Sequence, residues 1–172
     1  MTNSMTDFPV SFALEDYFSG PVRAHGVLQD RFGRIRKQFI VDMHGRIDAG
    51  VLILDETFRF SDGATSSRTW RIRRTGIDAY EGSADDVVGR AIGQVVGSSI
   101  RWRYRLRLKV GRHIRTFDFH DTMLLQGDGL MINRAEMRKF GVRLADMTLV
   151  FRRTSPGAAS EPDARLRLVG RL

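Results

Sequence analysis

Apolar and polar side chains alternate with a period of two along most of the chain from Val22 to Phe151. The segment 100–110 is the most regular, with apolar or aromatic residues at even positions and five basic residues at odd positions. Such alternation is typical of β-strands that bury one face and expose the other. Turn signals rich in glycine and aspartate separate the runs, and together they predict about ten strands.

The connections between these strands are too short for crossover helices, which excludes a parallel βαβ architecture. An antiparallel meander of this length most simply closes on itself, because closure removes the exposed edges. We therefore predict an all-β, antiparallel up-and-down barrel of lipocalin or calycin type, with a two-sheet sandwich as the alternative. A short helix between Phe8 and Gly20, with Ser11 as its N-cap, is expected before the first strand.

The 172 residues fit a single domain. We expect a flexible N-terminus over 1–10, the barrel over 11–153, and a tail containing Pro, Gly and Ser over 154–172.

The absence of cysteine excludes disulfides, thiolate metal sites and a cysteine nucleophile. The sequence has neither an apolar run of 18 residues nor a secretory signal in its first 30 residues. These features predict a cytoplasmic location, without a lipid-anchoring cysteine or a membrane-spanning segment.

The formal net charge is +8, and 25 of the 28 basic residues are arginine. Arginines 101, 103, 105 and 107 and Lys109 share one strand face, which is interpreted first as a solvated outer face. The alternative is a cationic stripe for an anionic membrane or an acidic protein. Nucleic acid is disfavoured, because Trp102 and Tyr104 would point away from the arginines, whereas single-strand binders place stacking rings inside the basic groove.

The segment 130–138 allows two orientations. If Leu130 and Ile132 face inward, Arg134 enters the barrel and must be paired or await an anionic ligand. If Met131 faces inward, Asn133 is the buried polar group. The sequence leaves both open, because a shift of one residue exchanges the two faces.

No metal or cofactor is expected. Asp118 and His120 share a strand face but lack a third ligand, and neither a nucleophile elbow nor a phosphate-binding glycine loop occurs. Asp85 and Asp86 are adjacent acids in a predicted turn; acid–base chemistry there would need burial.

Several blocks of the chain resemble a bacterial family known as domain of unknown function 3833 (DUF3833). They are residues 80–93, 102–106 and 132–141, together with 18–26 and 70–73, and the resemblance extends from about Leu14 to Arg153. It implies a lipocalin-like barrel but no activity. The positions that it marks for attention are Asp85, Asp86, Trp102, Arg103, Tyr104, Asn133 and Arg134.

The leading hypothesis is a barrel that binds a small amphipathic ligand, such as a fatty-acyl chain. An inward arginine would meet its carboxylate, with Arg134 as first choice and Arg103 as second. The remaining ligand-binding candidates are Trp70, Trp102, Tyr104, Phe117, Phe119 and Asn133. The alternatives are an isomerase- or cyclase-type enzyme acting on a lipid-like substrate, and an arginine-rich surface module. Asp85, Asp121 and Tyr104 are the catalytic candidates of the enzyme hypothesis.

Overall fold

The computed structural model describes residues 12–155, which form one short helix and ten strands. The helix is α1 (Leu14–Phe18). The strands are β1 (Gly20–Asp30), β2 (Ile35–Asp48), β3 (Val51–Phe60), β4 (Thr65–Gly76), β5 (Ala79–Ser83), β6 (Ala91–Val96), β7 (Ser99–Val110), β8 (His113–Leu125), β9 (Met131–Lys139) and β10 (Val142–Arg153). The predictions for residues 1–10 and 156–172 lie outside the described part.

The strands form a closed barrel in which every neighbouring pair is antiparallel. Each strand pairs with the next one in the chain, and β1 closes the barrel against β10, with Ala24 opposite Phe151. The prediction of an up-and-down barrel of about ten strands is therefore confirmed, and the sandwich alternative is wrong. Short turns join most of the strands to the next strand in the chain, as the sequence pattern predicts.

Helix α1 covers one end of the barrel and is shorter than the sequence pattern predicts. Ala13 occupies its N-cap position without a side-chain cap, whereas the predicted cap, Ser11, lies outside the described residues. The Tyr17 hydroxyl donates to the Phe151 carbonyl at 3.2 Å, which ties the helix to the last strand. The backbone of Phe18 crosses Gly45 of β2 so closely that a Cβ there would lie 1.7 Å from the Phe18 carbonyl oxygen. Glycine is thus required at position 45.

The outer face of β7 carries the row of five cations that the sequence placed together. All five side chains are exposed, as a solvated outer face requires. Within residues 12–155 none of them forms an ion pair, although Arg107 donates to the Asp85 carbonyl at 2.6 Å. Binding of this row to an anionic membrane or an acidic protein stays a prediction.

The end of the barrel opposite α1 is packed with side chains. Val87, Leu106, Phe117 and Phe119, here termed the filled cluster, form its buried centre. Here the wall between β4 and β7 is completed by the segment 84–90, in which Val87 bridges to Leu106 and the Val88 amide donates to the Arg105 carbonyl at 2.9 Å. In the part of the chain that is described, no helix has the length and apolarity needed to span a bilayer.

Candidate functional site

A cavity of about 130 Å³ lies inside the barrel. One part of its wall is apolar and aromatic, and includes Phe39, Phe58, Trp70, Trp102, Met123 and Leu149. The other part carries five polar side chains, here termed the polar cluster: Glu56, Arg68, Tyr104, Asp121 and Asn133. The cavity therefore combines a large apolar surface with a few convergent polar groups, as small-molecule sites do.

The alternation of each strand places the polar cluster inside. Glu56 of β3 stands directly opposite Arg68 of β4, and both occupy inward positions of their strands. On β8, Asp121 is paired with Trp102 of β7, while Asn133 is paired with Met123. Five strands thus deliver one polar side chain each to the same cavity.

Arg68 is held by a bidentate ion pair. Its Nε donates to Asp86 Oδ1 at 3.1 Å and its Nη2 to Asp86 Oδ2 at 2.7 Å, whereas Glu56 Oε2 lies 3.7 Å from Nη1. Asp86 belongs to the segment 84–90, which covers the gap in the wall. The pair therefore attaches this segment to β4 and provides an acceptor for Nε and for Nη2 of the guanidinium.

Asp121 and Tyr104 form a buried pair. The Tyr104 hydroxyl donates to Asp121 Oδ2 at 2.8 Å, and Asp121 is only 9% exposed. Burial raises the pKa of Asp121 to about 7, because it outweighs the lowering by the Tyr104 hydroxyl, the Asn133 amide and the Arg68 charge. Burial, together with the Asp121 charge, raises the pKa of Tyr104 well above its ordinary value.

Glu56 is a second buried carboxyl in the same cavity, with a side chain that is 12% exposed. Burial raises its pKa to about 7, although the Arg68 charge lowers it. The charge of Asp121 also raises the pKa of Glu56, so the two acids influence each other. Because both pKa values lie near neutrality, each acid can hold or release a proton at physiological pH.

Three oxygen atoms of the polar cluster accept no hydrogen bond from the described residues: Glu56 Oε2, Asp121 Oδ1 and Asn133 Oδ1. A buried acceptor without a donor costs about 1–3 kcal/mol, and more when it is charged. Groups of this kind occur in proteins where they meet a water, an ion or a ligand, or where they take part in chemistry. They point to the cavity as the functional site.

We expect stability to fall with rising pH because of these two carboxyls. Their ordinary pKa values of 3.8 and 4.5 are raised to about 7 in the folded state, so the folded protein binds protons more strongly than the unfolded chain. The resulting stabilisation is complete below pH 4 and is lost as the pH rises through 7. Urea unfolding should show a loss on the order of 3 kcal/mol for each carboxyl between pH 4.5 and 8.

Asp121→Asn should flatten this pH profile, whereas Asp85→Asn, at an exposed site, should leave it unchanged. An Asp121→Asn profile as steep as that of the unmodified protein would show that Asp121 is an ordinary acid.

Five of the residues singled out from the sequence line the cavity: Trp70, Trp102, Tyr104, Asp121 and Asn133. On β9 the Met131 face points inward, so Asn133 is buried at 6% exposure. Of the two orientations of segment 130–138 that the sequence left open, the structure has this one. The ligand-binding or catalytic role of all five stays a prediction.

Other positions lie elsewhere than expected. The prediction that Arg134 or Arg103 points into the barrel is wrong: both lie on outer strand faces, and the Arg134 side chain is 61% exposed. Asp85 is exposed in its turn, which removes the burial that acid–base chemistry needs. Phe117 and Phe119 face inward but belong to the filled cluster rather than to the cavity wall.

Sequence reasoning missed Glu56 and Arg68, and it marked Asp86 without separating it from Asp85. Glu56 carried a usable signal, since it is the only charged residue among the alternate positions 52, 54, 56, 58 and 60, which are otherwise apolar. Arg68 was hidden, because arginines surround Trp70 on both strand faces and no pattern marks the inward one. Asp86 was noticed beside Asp85, but only the fold distinguishes the paired acid from the exposed one.

Comparison with known proteins gives a family and a fold. A family described as "Protein of unknown function (DUF3833)" matches residues 3–153. Among solved structures, the S-type phycobiliprotein lyase CPES from Guillardia theta is similar, with a TM-score of 0.59 and 5% identity over 82% of this chain and 90% of that chain. At this identity the similarity shows the barrel fold alone. A search of curated proteins finds no match.

Proposed function

Because the chain belongs to the DUF3833 family, whose description assigns no function, we propose from its interior that it binds a small amphipathic molecule inside the barrel. The observation that carries this proposal is the cavity itself, where buried oxygens without donors face an aromatic wall. A barrel that served only as a scaffold would gain stability by filling this space with side chains. The filled cluster at the opposite end demonstrates that the same barrel can be packed closely.

The size of the cavity sets the size of the ligand. An engineered protein cavity of about 150 Å³ takes up benzene, and the cavity of this barrel is slightly smaller. A polar head with a short acyl or alkyl chain matches this space. Its chain would lie against Phe39, Phe58 and the two tryptophans, while its head would reach the polar cluster.

Filling the cavity should abolish binding. Ala135 of β9 is buried in the cavity wall, and the ring of Ala135→Phe would occupy the space of the ligand. We expect 1-octanol, at ten times its Kd, to raise the Tm of the unmodified protein by about 3 °C, and to leave that of Ala135→Phe unchanged.

Thr122→Phe is the matched control, because it adds the same ring to the exposed face of the neighbouring strand β8 and should bind octanol normally. If Ala135→Phe does not fold, Ala135→Leu makes the same test with a smaller side chain. Equal shifts in Ala135→Phe and Thr122→Phe would place the ligand outside the cavity and would contradict the proposal.

A second candidate function is acid–base catalysis on the bound molecule. The contact between Tyr104 and Asp121, with the Asp121 pKa raised to about 7, favours it, since a proton donor or acceptor works best near the ambient pH. A lipid-like substrate isomerised by proton transfer fits this arrangement. In D₂O the protein should then speed deuterium exchange at the α-carbons of 2-octanone, and Asp121→Asn should not; equal rates for the two would exclude this role.

A further inference from the structure

The hydrogen-bonding groups of the cavity are unevenly divided between donors and acceptors. Glu56 Oε2, Asp121 Oδ1 and Asn133 Oδ1 accept no bond from residues 12–155, and Asp121 and Asn133 are more than nine-tenths buried. The Tyr104 hydroxyl proton is already given to Asp121, and the Nε–Nη2 edge of the Arg68 guanidinium is given to Asp86, which leaves Nη1 at 3.7 Å from Glu56. The buried cavity atoms that lack a hydrogen-bond partner among these residues are therefore all acceptors.

The charges of the polar cluster are also uneven, because its unmatched charged groups are acidic. The positive charge of Arg68 is matched by Asp86 in a bidentate pair at 2.7 Å. Glu56 and Asp121 are then the remaining charged groups of the polar cluster, and both are acidic. A carboxylate head placed here would be a third acid beside two others, and the charge of the guanidinium that could meet it is already matched by Asp86.

Resting on the proposed function, we propose that the cavity selects ligands whose head donates hydrogen bonds, and above all a protonated primary amine, over ligands whose head is a carboxylate. An ammonium group carries three donors and no acceptor, so it complements the three oxygens and neutralises the acids that surround it. The sequence had suggested the opposite, a carboxylate ligand held by an inward arginine. The arginine that does point inward is Arg68, and it is already paired.

The net charge of the protein helps to identify the origin of this selectivity, because it favours the opposite ligand. At +8, the molecule as a whole attracts anions and repels cations. Non-specific association would therefore favour an alkanoate over an alkylamine. A preference for the amine must come from the local acids of the cavity, in opposition to the net charge.

The experiment compares octylamine, octanoate and 1-octanol, which share one chain and differ in the head group, by calorimetric titration at pH 8. We expect octylamine to bind at least about tenfold more tightly than octanoate, the ratio that one charge-assisted hydrogen bond provides. Asp121→Asn and Glu56→Gln should each reduce this ratio about tenfold. Octanol, whose hydroxyl carries one donor and no charge, should lose less affinity than octylamine in both variants, because the chain contacts are unchanged.

The possible results separate the inference from the function on which it rests. Octanoate binding as tightly as octylamine, or a ratio unchanged in both variants, would overturn the inference while leaving a ligand-binding barrel. Failure of all three compounds to bind would overturn the proposed function itself. If either variant does not fold, Asn133→Leu, which removes the uncharged acceptor, should still weaken octylamine relative to octanol; an unaltered ratio there would count against the inference.

Discussion

Replacing Arg68 with alanine should lower the free energy of unfolding by about 3 kcal/mol, the lower end of the range for broken buried ion pairs. The guanidinium is 21% exposed and is the partner of Asp86, so its loss leaves that carboxylate without its ion pair. The value is at the lower end because a third of the Asp86 side chain reaches solvent, at 33% exposure. Urea unfolding at pH 7 measures it.

The control for Arg68→Ala is Arg103→Ala, which removes an exposed arginine without an ion pair in the described chain and should change stability by less than about 0.5 kcal/mol. Hydrogen exchange should also quicken at the Val88 amide, because the segment 84–90 loses its attachment to β4. If Arg68→Ala proves as stable as Arg103→Ala, Arg68 does not hold this segment.

Phe119→Ala should destabilise the protein by about 3–5 kcal/mol. Phe119 is 1% exposed, and its ring stacks on Tyr104 with centroids 5.4 Å apart. Its removal would open a void in the filled cluster and free the ring that carries the Tyr104 hydroxyl. Thermal or urea unfolding measures the effect.

Ile114→Ala is the comparison on the same strand, since its side chain is 71% exposed and it should cost less than about 1 kcal/mol. A small loss for Phe119→Ala would mean that this end of the barrel is not packed as described. The contrast between the filled cluster and the cavity would then disappear.

The barrel could be predicted from the sequence because a strand with one solvent-exposed face shows alternating apolar and polar residues within its own segment. The segment 100–110 shows this most clearly: its apolar residues up to Leu108 are buried or half-buried, Val110 is exposed at the end of the strand, and each arginine faces water. Because short turns can join only antiparallel strands, they also predict how neighbouring strands are oriented. Neither inference depends on residues that are distant in the chain.

The polar cluster could be predicted only in part, because it depends on register. Asn133 and Arg134 are adjacent, and the orientation of one strand decides which of them meets the cavity. The choice of Arg134 was wrong for that reason. The barrel does have an inward arginine, which is Arg68. Glu56 and Arg68 lie in the same cavity as Asp121 only because β3, β4 and β8 belong to one closed barrel. The local pattern of each strand does not predict this arrangement.

Gly45 shows the same limit for the helix. The sequence indicates a turn at Gly45, whereas in the structure β2 continues through this residue and the backbone of α1 crosses it there. The prediction of a short helix before the first strand was correct, but its site of contact came from the fold.

The central claim, that an amphipathic molecule occupies the barrel cavity, can be tested through the two tryptophans of the chain. Trp70 and Trp102 both line the cavity, so a heavy-atom quencher bound there must reach each of them. In the single-tryptophan variants Trp70→Phe and Trp102→Phe, 8-bromo-1-octanol should quench the fluorescence saturably, with the same half-saturation concentration, and should fail to do so once Ala135→Phe is added. Quenching that rises linearly without saturation, or that persists with Ala135→Phe, would contradict the account.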